Sequence, residues 1–260
     1  MRKPSGKRSK IRRLSSYFHI GANTGFGLAI TTALVQEPDY HVIMAVRSLD
    51  RGRADLDQLQ ASEPAGSLSL LQLDTTSTAS IASAVESVAQ QFGRVDVLIN
   101  NAGLMSKLDT LKAQLRETFV LNTFAPALLT EAFVPLLRNS ENARVIHISA
   151  DLGSISLKSN PASRDYSIDH MAYRMSKAAL SMMTACHSVQ FKSWGCKVWS
   201  YNPGFVVTDA WGKSEEARQA MKAAGAGDPH DAARGIVDIL VGKRDSDNGG
   251  FLHINGIHPW

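Results

Sequence analysis

The sequence predicts a single α/β domain with a parallel sheet and helices on both of its faces, the doubly wound arrangement. Two observations favour this fold class. Short apolar segments alternate regularly with longer segments that have helical apolar spacing. The short segments are also nearly continuous in apolar residues, as is typical of strands that are buried on both faces. At 260 residues the chain has the length of one large domain, and neither a linker nor an internal repeat interrupts it.

The elements follow one another from residue 17 onward. The predicted strands cover residues 17–20, 41–46, 68–73, 95–100, 144–150 and 197–201. The predicted helices cover residues 26–35, 49–60, 81–92, 111–137 and 171–192. Ser77 or Thr78 is the expected N-cap of the third helix, and Gly93 is its expected end. After the sixth strand, residues 209–228 combine helix formers with two glycines, which indicates a mobile helical flap over a substrate.

The composition is that of an ordinary globular protein, with 44% hydrophobic and 20% charged residues. The net charge of +4 depends on seven basic residues within the first thirteen positions. The rest of the chain has 21 basic and 24 acidic residues, a net charge of −3. We therefore expect a basic, disordered tail at 1–16, with a targeting or anionic-surface segment as the alternative, and a domain at 17–260.

The body has no basic stripe for nucleic acid, and we find neither a membrane-spanning run nor a secretory leader, so a cytoplasmic protein is expected.

Metal chemistry and hydrolysis are poorly supported by the sequence. Cys186 and Cys196 have neither CxxC nor metal-ligand spacing, which favours two reduced thiols. The eight histidines are scattered without an HExxH motif, and no GxSxG motif occurs. We therefore predict no metal site.

A glycine-rich turn, GANTGFG, follows the first strand. Gly21, Gly25 and Gly27 would let the backbone approach a pyrophosphate, next to the free N–H groups and positive dipole of a helix N-terminus. Asn23 and Phe26 lie in the same turn and are further candidates for cofactor binding. A tight structural turn explains glycines of this kind too, but the position between first strand and first helix favours a dinucleotide site.

The ends of the second and third strands bear on the choice of cofactor. The second strand ends in Arg47 rather than in a carboxylate, which favours the 2′-phosphate of NADP(H) and makes NAD(H) the less favoured cofactor. A solvated loop arginine is the alternative, and Arg51 and Arg53 nearby keep it open. Asp74, followed by Thr75, closes the third strand. Its carboxylate could accept a hydrogen bond from the amino group of an adenine, or it could cap a local turn.

The fourth strand ends in NNAG. Asn100 and Asn101 can tie neighbouring strand ends together, while Ala102 and Gly103 leave room for a ribose or an adenine.

A tyrosine and a lysine are spaced for catalysis. Tyr173 and Lys177, at i and i+4, lie on the same face of the last predicted helix. A phenol, with an ordinary pKa near ~10, becomes a usable acid or base if an ammonium and a cationic nicotinamide stabilise its phenolate. In an earlier helix, Pro126 removes the intrahelical partner of the Asn122 carbonyl, which would then be free to bind an ordered water. A kink with a solvent-facing Asn122 is the alternative.

Together these motifs resemble the short-chain dehydrogenase/reductase family, in which they occur in the same order. The matching positions are Gly21-x-x-x-Gly25-x-Gly27, Asp74, NNAG, Asn122, Tyr173-x-x-x-Lys177 and Pro203-Gly204 with Thr208. The resemblance covers residues 17–260, and the ending GGFLHINGIHPW is similar to the branch with carbonyl reductases and C-signal-type proteins. It implies a Rossmann-like fold, NADP(H), and a small carbonyl or alcohol substrate.

The resemblance also implies roles for individual residues. Tyr173 would protonate the substrate carbonyl, Lys177 would lower the tyrosine pKa, and Asn122 would hold a relay water. Thr208 would contact the nicotinamide carboxamide, with Pro203, Gly204 and Val206 in the same cofactor-binding loop. Members of the family commonly pair through the helices that carry Asn122 and Tyr173, so a homo-oligomer is expected.

Two positions depart from the family pattern. Ile20 replaces a threonine that usually braces the glycine turn, and Ala150 replaces the serine that usually polarises the substrate carbonyl. Ser149 points to the opposite face of the strand and should not substitute. The possible replacement donors before Tyr173 are Ser156, Ser159, Ser163, Tyr166, Ser167 and His170. The predicted function is therefore an NADP(H)-dependent oxidoreductase with reduced activity, and a non-redox cyclase, isomerase or regulatory protein is the alternative.

Overall fold

The computed structural model describes residues 15–22, 25–208 and 214–260. Within them, eight strands form one sheet in the order β3-β2-β1-β4-β5-β6-β7-β8. The strands are β1 (Ser15–Ile20), β2 (Tyr40–Val46), β3 (Ser67–Gln72), β4 (Val97–Asn100), β5 (Arg144–Ile148), β6 (Lys197–Tyr201), β7 (Phe251–His253) and β8 (Gly256–Ile257). Strands β1 to β7 are parallel, and only β8 pairs antiparallel with its neighbour. The strand order reverses between β1 and β4, so the crevice at their carboxyl ends is the switch point where such sheets bind ligands.

Helices cover both faces of this sheet. They are α1 (Gly25–Leu34), α2 (Leu49–Ala61), α3 (Thr78–Phe92), α4 (Leu111–Phe119), α5 (Ala125–Arg138), α6 (Ile155–Ser159), α7 (Met171–Gln190), α8 (Glu215–Ala223) and α9 (Pro229–Leu240). Strand β2 shows why both faces must be covered. Val42 and Met44 are buried on one face, in the core shared with α1, α2 and α9. Ile43 and Ala45 are buried on the other face, in the core shared with α3 and α5. The predicted doubly wound α/β fold is confirmed, with one antiparallel edge strand added.

The predicted ends of α3 are confirmed. The Ser77 hydroxyl accepts from the backbone N–H of Ser80 at 3.3 Å, which satisfies one of the free donors of the first turn. Gly93 follows the helix with φ of +70°, the left-handed conformation that favours glycine at a helix end.

The predicted helix over 111–137 is confirmed as a helical stretch, Leu111–Arg138, but its α-helical hydrogen-bond ladder is interrupted in the middle. A five-residue π-helical segment, Val120–Phe124, separates α4 from α5, and the N–H of Ala125 donates to the carbonyl of Val120. Pro126 has no N–H to donate to the carbonyl of Asn122, so the regular ladder cannot continue there. Asn122 is fully buried inside the segment, which rules out the solvent-facing alternative.

The continuous helical stretch Leu111–Arg138 is long and apolar enough to cross a membrane by length and composition. In the fold it is a core helix, because Leu129, Phe133 and Leu137 are fully buried against the sheet.

The predicted strand 144–150 is two residues too long. Strand β5 ends at Ile148, and the N–H of Ser149 makes a last hydrogen bond to the carbonyl of Tyr201 in β6 at 2.8 Å. The carbonyl of Ala150 then accepts from the N–H of Gly153 in a short 3-10 turn, Asp151–Gly153. Strand β1 begins at Ser15, two residues before its predicted start. The rest of the predicted tail, residues 1–14, lies outside the described residues.

The chain after β6 contains more structure than predicted. Within the predicted flap, residues 209–213 lie outside the described residues, and α8 follows with Met221 buried against the protein. Helix α9 and the short strands β7 and β8 were not predicted. Their chain path returns to the carboxyl end of β6, beside the predicted site.

Candidate active site

The glycine turn at the switch point has no space for side chains. A Cβ on Gly27 would lie 1.9 Å from the carbonyl oxygen of Gly21 and 2.7 Å from Nδ2 of Asn101. Gly21 and Gly25 have φ of +68° and +51°, a backbone region that favours glycine. The Asn101 amide donates to the Gly21 carbonyl at 3.0 Å and so joins the end of β4 to the turn after β1. The turn therefore presents bare backbone and the N-terminus of α1 to the crevice.

Two further residues of this turn, Asn23 and Phe26, were predicted to bind the cofactor. Asn23 lies outside the described residues. Phe26 is buried, and its ring stacks on that of Tyr201 with 6.2 Å between centroids and 9° between planes. The Phe26 ring therefore belongs to the core, and only its main chain remains as a possible cofactor contact.

A different hydroxyl braces the turn in place of the missing threonine. Ile20 is buried in the core. The hydroxyl of Thr31, in α1, lies 3.1 Å from the carbonyl oxygens of both Ala22 and Gly27 and can donate to either. The lost contact is thus supplied from the helix side.

The ends of β2 and β3 bring Arg47 near Asp74. Hydrogen bonds from Thr76 lower the pKa of Asp74, and the positive charge of the exposed Arg47 adds a smaller contribution in the same direction. Oδ1 of Asp74 accepts from the Thr76 N–H at 2.9 Å and from its hydroxyl at 2.7 Å, while Thr75 is buried. The contacts of Asp74 therefore fit the turn-capping interpretation.

The end of β4 lies against the catalytic candidates. A Cβ on Gly103 would lie 3.2 Å from Oδ1 of Asn122 and 3.4 Å from Nζ of Lys177, so glycine allows these groups to approach the strand end. The buried Asn100 donates to the hydroxyl of Thr130 at 3.0 Å. Ala102 is half-buried beside Gly103.

Asn122 is held rigidly by its neighbours. Its Oδ1 accepts from the N–H of Leu104 at 2.8 Å, and its Nδ2 donates to the Leu104 carbonyl at 2.8 Å and to the Ser176 hydroxyl at 3.1 Å. Ser176 lies in α7 between Tyr173 and Lys177, so this contact fixes the π-helical segment against the helix that carries the pair. The role of Ser176 was not predicted.

Tyr173 and Lys177 lie together on α7, with Nζ of Lys177 5.7 Å from the centroid of the Tyr173 ring. Nζ donates to the carbonyl of Ile148, at the end of β5, at 2.7 Å. Burial raises the pKa of Tyr173 to about 12 and lowers that of Lys177 to about 8. Desolvation disfavours the charged form of each group and is the cause of both shifts.

The hydroxyl of Ser149 does not lie near Tyr173. Ser149 is buried, and its Oγ is 3.5 Å from Oγ of Ser181, two turns further along α7 than Tyr173. Ala150 follows with an extended backbone, φ −159° and ψ 153°, and is partly exposed. Most of the possible replacement donors are exposed, namely Ser156, Ser159, Tyr166, Ser167 and His170. Oγ of the remaining one, Ser163, accepts from the N–H of Asp165 at 3.1 Å.

The loop after β6 closes the site on the other side. Pro203 precedes Gly204, whose φ of +76° again favours glycine, and Val206 is buried and bridged to Gly227. Thr208 lines a cavity of about 780 Å³ that also reaches Gly25. The loop after β6 and the glycine turn therefore border one space.

Fold and site together define an α/β protein of the nucleotide-binding class, with tyrosine, lysine and asparagine gathered at the switch-point edge. The family model for short chain dehydrogenases matches residues 18–219. The chain therefore belongs to the short-chain dehydrogenase family of oxidoreductases, which confirms the resemblance drawn from its motifs.

Individual relatives agree with this assignment. The short-chain dehydrogenase anuI of Penicillium roqueforti is 34% identical over 232 residues, which cover 84% of this chain and 91% of that protein. C-signal of Myxococcus xanthus is 32% identical over 65% of this chain and 94% of its own length. The NADPH-bound carbonyl reductase from chicken fatty liver has a TM-score of 0.79 at 29% identity, covering 95% of this chain and all of that one. The carbonyl reductase Sniffer of D. melanogaster has a TM-score of 0.78 at 26% identity, with the same coverage.

Proposed function

We propose that this protein is an NADP(H)-dependent oxidoreductase that transfers hydride between a nicotinamide and a carbonyl or alcohol substrate. The observation that carries the proposal is the packing of Lys177, Asn122 and Gly103 at the crevice, with Tyr173 one helical turn before the lysine. Reductases among the solved relatives, one of them bound to NADPH, support it.

The residues of the chain fit a dinucleotide. The glycine turn leaves backbone where a Cβ on Gly27 would collide, and such a cradle suits a pyrophosphate at a helix N-terminus. When bound, the cofactor supplies or accepts a hydride at its nicotinamide ring. In reduction, Tyr173 donates the proton of its hydroxyl to the carbonyl oxygen, and the ammonium of Lys177 stabilises the phenolate that remains. Asn122 keeps its main-chain carbonyl available for a water that returns the proton.

The preference for NADP(H) is proposed to depend on Arg47. We expect Arg47→Ala to raise the Kd of NADPH by about 10- to 100-fold, because a guanidinium contact to the 2′-phosphate is charge-assisted. NADH has no such phosphate, so its Kd should stay unchanged. Titration of nicotinamide fluorescence measures both constants.

The matched control for this prediction is Arg53→Ala. Arg53 is an exposed arginine on α2, and its loss should leave both cofactor affinities as in the wild type. Equal weakening of NADPH and NADH in Arg47→Ala would contradict the assignment, as would a stronger effect of Arg53→Ala on NADPH.

A non-redox function on the same scaffold is the second candidate, and Ala150 favours it. The hydroxyl that usually polarises a carbonyl is missing there, so the chain could shape a reactive substrate as a cyclase or isomerase, or bind cofactor in a regulatory role. The grouping of Tyr173 with the buried Lys177 and Asn122 would serve no purpose in that case, which is why we prefer oxidoreductase chemistry.

We also propose that the protein forms a homo-oligomer through α5 and α7. Five large apolar side chains on or next to these helices are more than half exposed, namely Phe124, Leu128, Met171, Met182 and Val189. Phe124 adjoins α5 at the end of the π-helical segment. A cytoplasmic location remains the proposed one.

A further inference from the structure

The carboxylate of Asp151 joins three segments beside the proposed active site. It directly follows Ala150, and its side chain is only 12% exposed. Oδ1 accepts a hydrogen bond from Nδ2 of Asn202, and Oδ2 lies 3.2 Å from Nη2 of Arg164. The side chain thereby connects the end of β5 to the end of β6 and to the segment that precedes α7.

Asn202 connects Asp151 to the turn of Pro203 and Gly204. Its backbone N–H donates to the carbonyl of Leu252 at 2.7 Å, and its Oδ1 accepts from the N–H of Gly204 at 2.9 Å. An ionised carboxylate only accepts hydrogen bonds, so it can pair only with the NH₂ group of the amide. Asp151 therefore fixes which way the Asn202 amide points and directs its oxygen at Gly204.

The hairpin of β7 and β8 supports the turn from another side. A Cβ on Gly204 would lie 3.2 Å from Nε2 of His253, so this ring packs directly against the glycine. The ring of His258 lies 5.0 Å from that of His253, and its Nδ1 is 3.1 Å from Oδ1 of Asp151 without the geometry of a hydrogen bond. The turn is thus held between Asp151 and the histidine pair.

We propose that Asp151 is a positioning residue for the turn of Pro203 and Gly204, and through this turn for the nicotinamide end of the cofactor. This inference rests on the proposed function, which assigns that turn to the cofactor. Asp151 acts through Asn202 and does not touch the reacting atoms. Its effect is confined to one end of the binding site, because Arg47 follows a different strand, β2, which three other strands separate from β6 in the sheet.

The experiment compares a whole cofactor with a fragment of it. Asp151→Ala should raise the Kd of NADPH by about 10- to 100-fold, the usual range for loss of a charge-assisted hydrogen bond. The affinity for adenosine 2′,5′-bisphosphate should stay unchanged, because this fragment has the adenine and the 2′-phosphate but no nicotinamide. Calorimetric titration of the full-length protein with each compound measures both values.

Three further variants sharpen the test. Asp151→Asn keeps an oxygen that can accept from Asn202 and should retain most of the NADPH affinity. Asn202→Ala removes the same link from the other side and should repeat the selective loss, even if Asp151→Ala folds poorly. Asp238→Ala is the matched control, because this carboxylate pairs with Lys243 on the surface of α9.

Three outcomes would overturn the inference while leaving the proposed function intact. One is unchanged NADPH affinity in both Asp151→Ala and Asn202→Ala. Another is an equal loss of NADPH and fragment binding, which would indicate a general structural role. A wild-type protein that binds the fragment and NADPH equally well would also contradict a contribution from the nicotinamide end. A wild-type protein that binds neither compound would instead contradict the proposed function, and this inference with it.

Discussion

Tyr173→Phe is expected to lower kcat for NADPH-dependent carbonyl reduction by about 10²- to 10⁴-fold, the usual contribution of a positioned acid. The substitution removes one hydroxyl and keeps the ring, so the packing of α7 beside Lys177 and Asn122 should be retained. Burial holds the pKa of Tyr173 at about 12, which keeps the phenol loaded with the proton that reduction consumes. Steady-state rates on a reactive ketone or aldehyde, with NADPH at saturation, measure the effect.

The control for this variant is Tyr40→Phe. Tyr40 begins β2, at the amino ends of the strands and thus at the opposite edge of the sheet, and its hydroxyl should not affect turnover. NADPH binding by Tyr173→Phe should persist, which separates a lost proton donor from a lost fold. Turnover at the wild-type rate in Tyr173→Phe would contradict the proposed acid.

Ala150→Ser is expected to raise kcat by about 10²- to 10³-fold, the reverse of deleting one oxyanion-hole donor. The backbone at Ala150 is extended and the side chain partly exposed, so a serine fits without strain. The added hydroxyl could donate to the substrate oxygen as negative charge develops on it. The measurement is the same carbonyl assay, with wild type and variant compared at saturating NADPH.

Ser149→Ala tests whether the neighbouring hydroxyl already performs this task. Because Oγ of Ser149 lies 3.5 Å from Ser181 and two turns from Tyr173, its removal should leave turnover unchanged. No gain in Ala150→Ser together with a loss in Ser149→Ala would show that Ser149 supplies the polarising contact, against the geometry of this structure.

The sheet was predictable because most of its strands are short apolar segments that alternate regularly with longer segments of helical spacing. Strands β7 and β8 were not, since three and two residues carry too little pattern for periodicity to detect. The sequence predicted only that Pro126 would break the hydrogen-bond ladder at Asn122. It did not predict a π-helical segment, because the apolar spacing on either side of Asn122 does not show which backbone conformation replaces the lost hydrogen bond.

The residues that meet at the candidate site were predictable from residue types at fixed spacing, whereas the contacts that position those residues were not. Asn122 binds Ser176 across 54 residues, and Asp151 binds Asn202 across 51. Contacts over such distances depend on the packed fold, and no local pattern encodes them. The rise in the pKa of Tyr173 through burial was not predictable for the same reason, because its degree of burial follows from the neighbours that the fold supplies.

The most direct test of hydride transfer uses NADPH that carries deuterium at C4 of the nicotinamide, prepared separately for each face. The protein is incubated with a panel of ketones and aldehydes, and the products are analysed by mass spectrometry. We expect one of the two labelled cofactors to give an alcohol with a single deuterium, and no product to form when the cofactor is omitted. Product that forms without nicotinamide, or that carries no deuterium from either cofactor, would contradict the proposed oxidoreductase and favour the non-redox alternative.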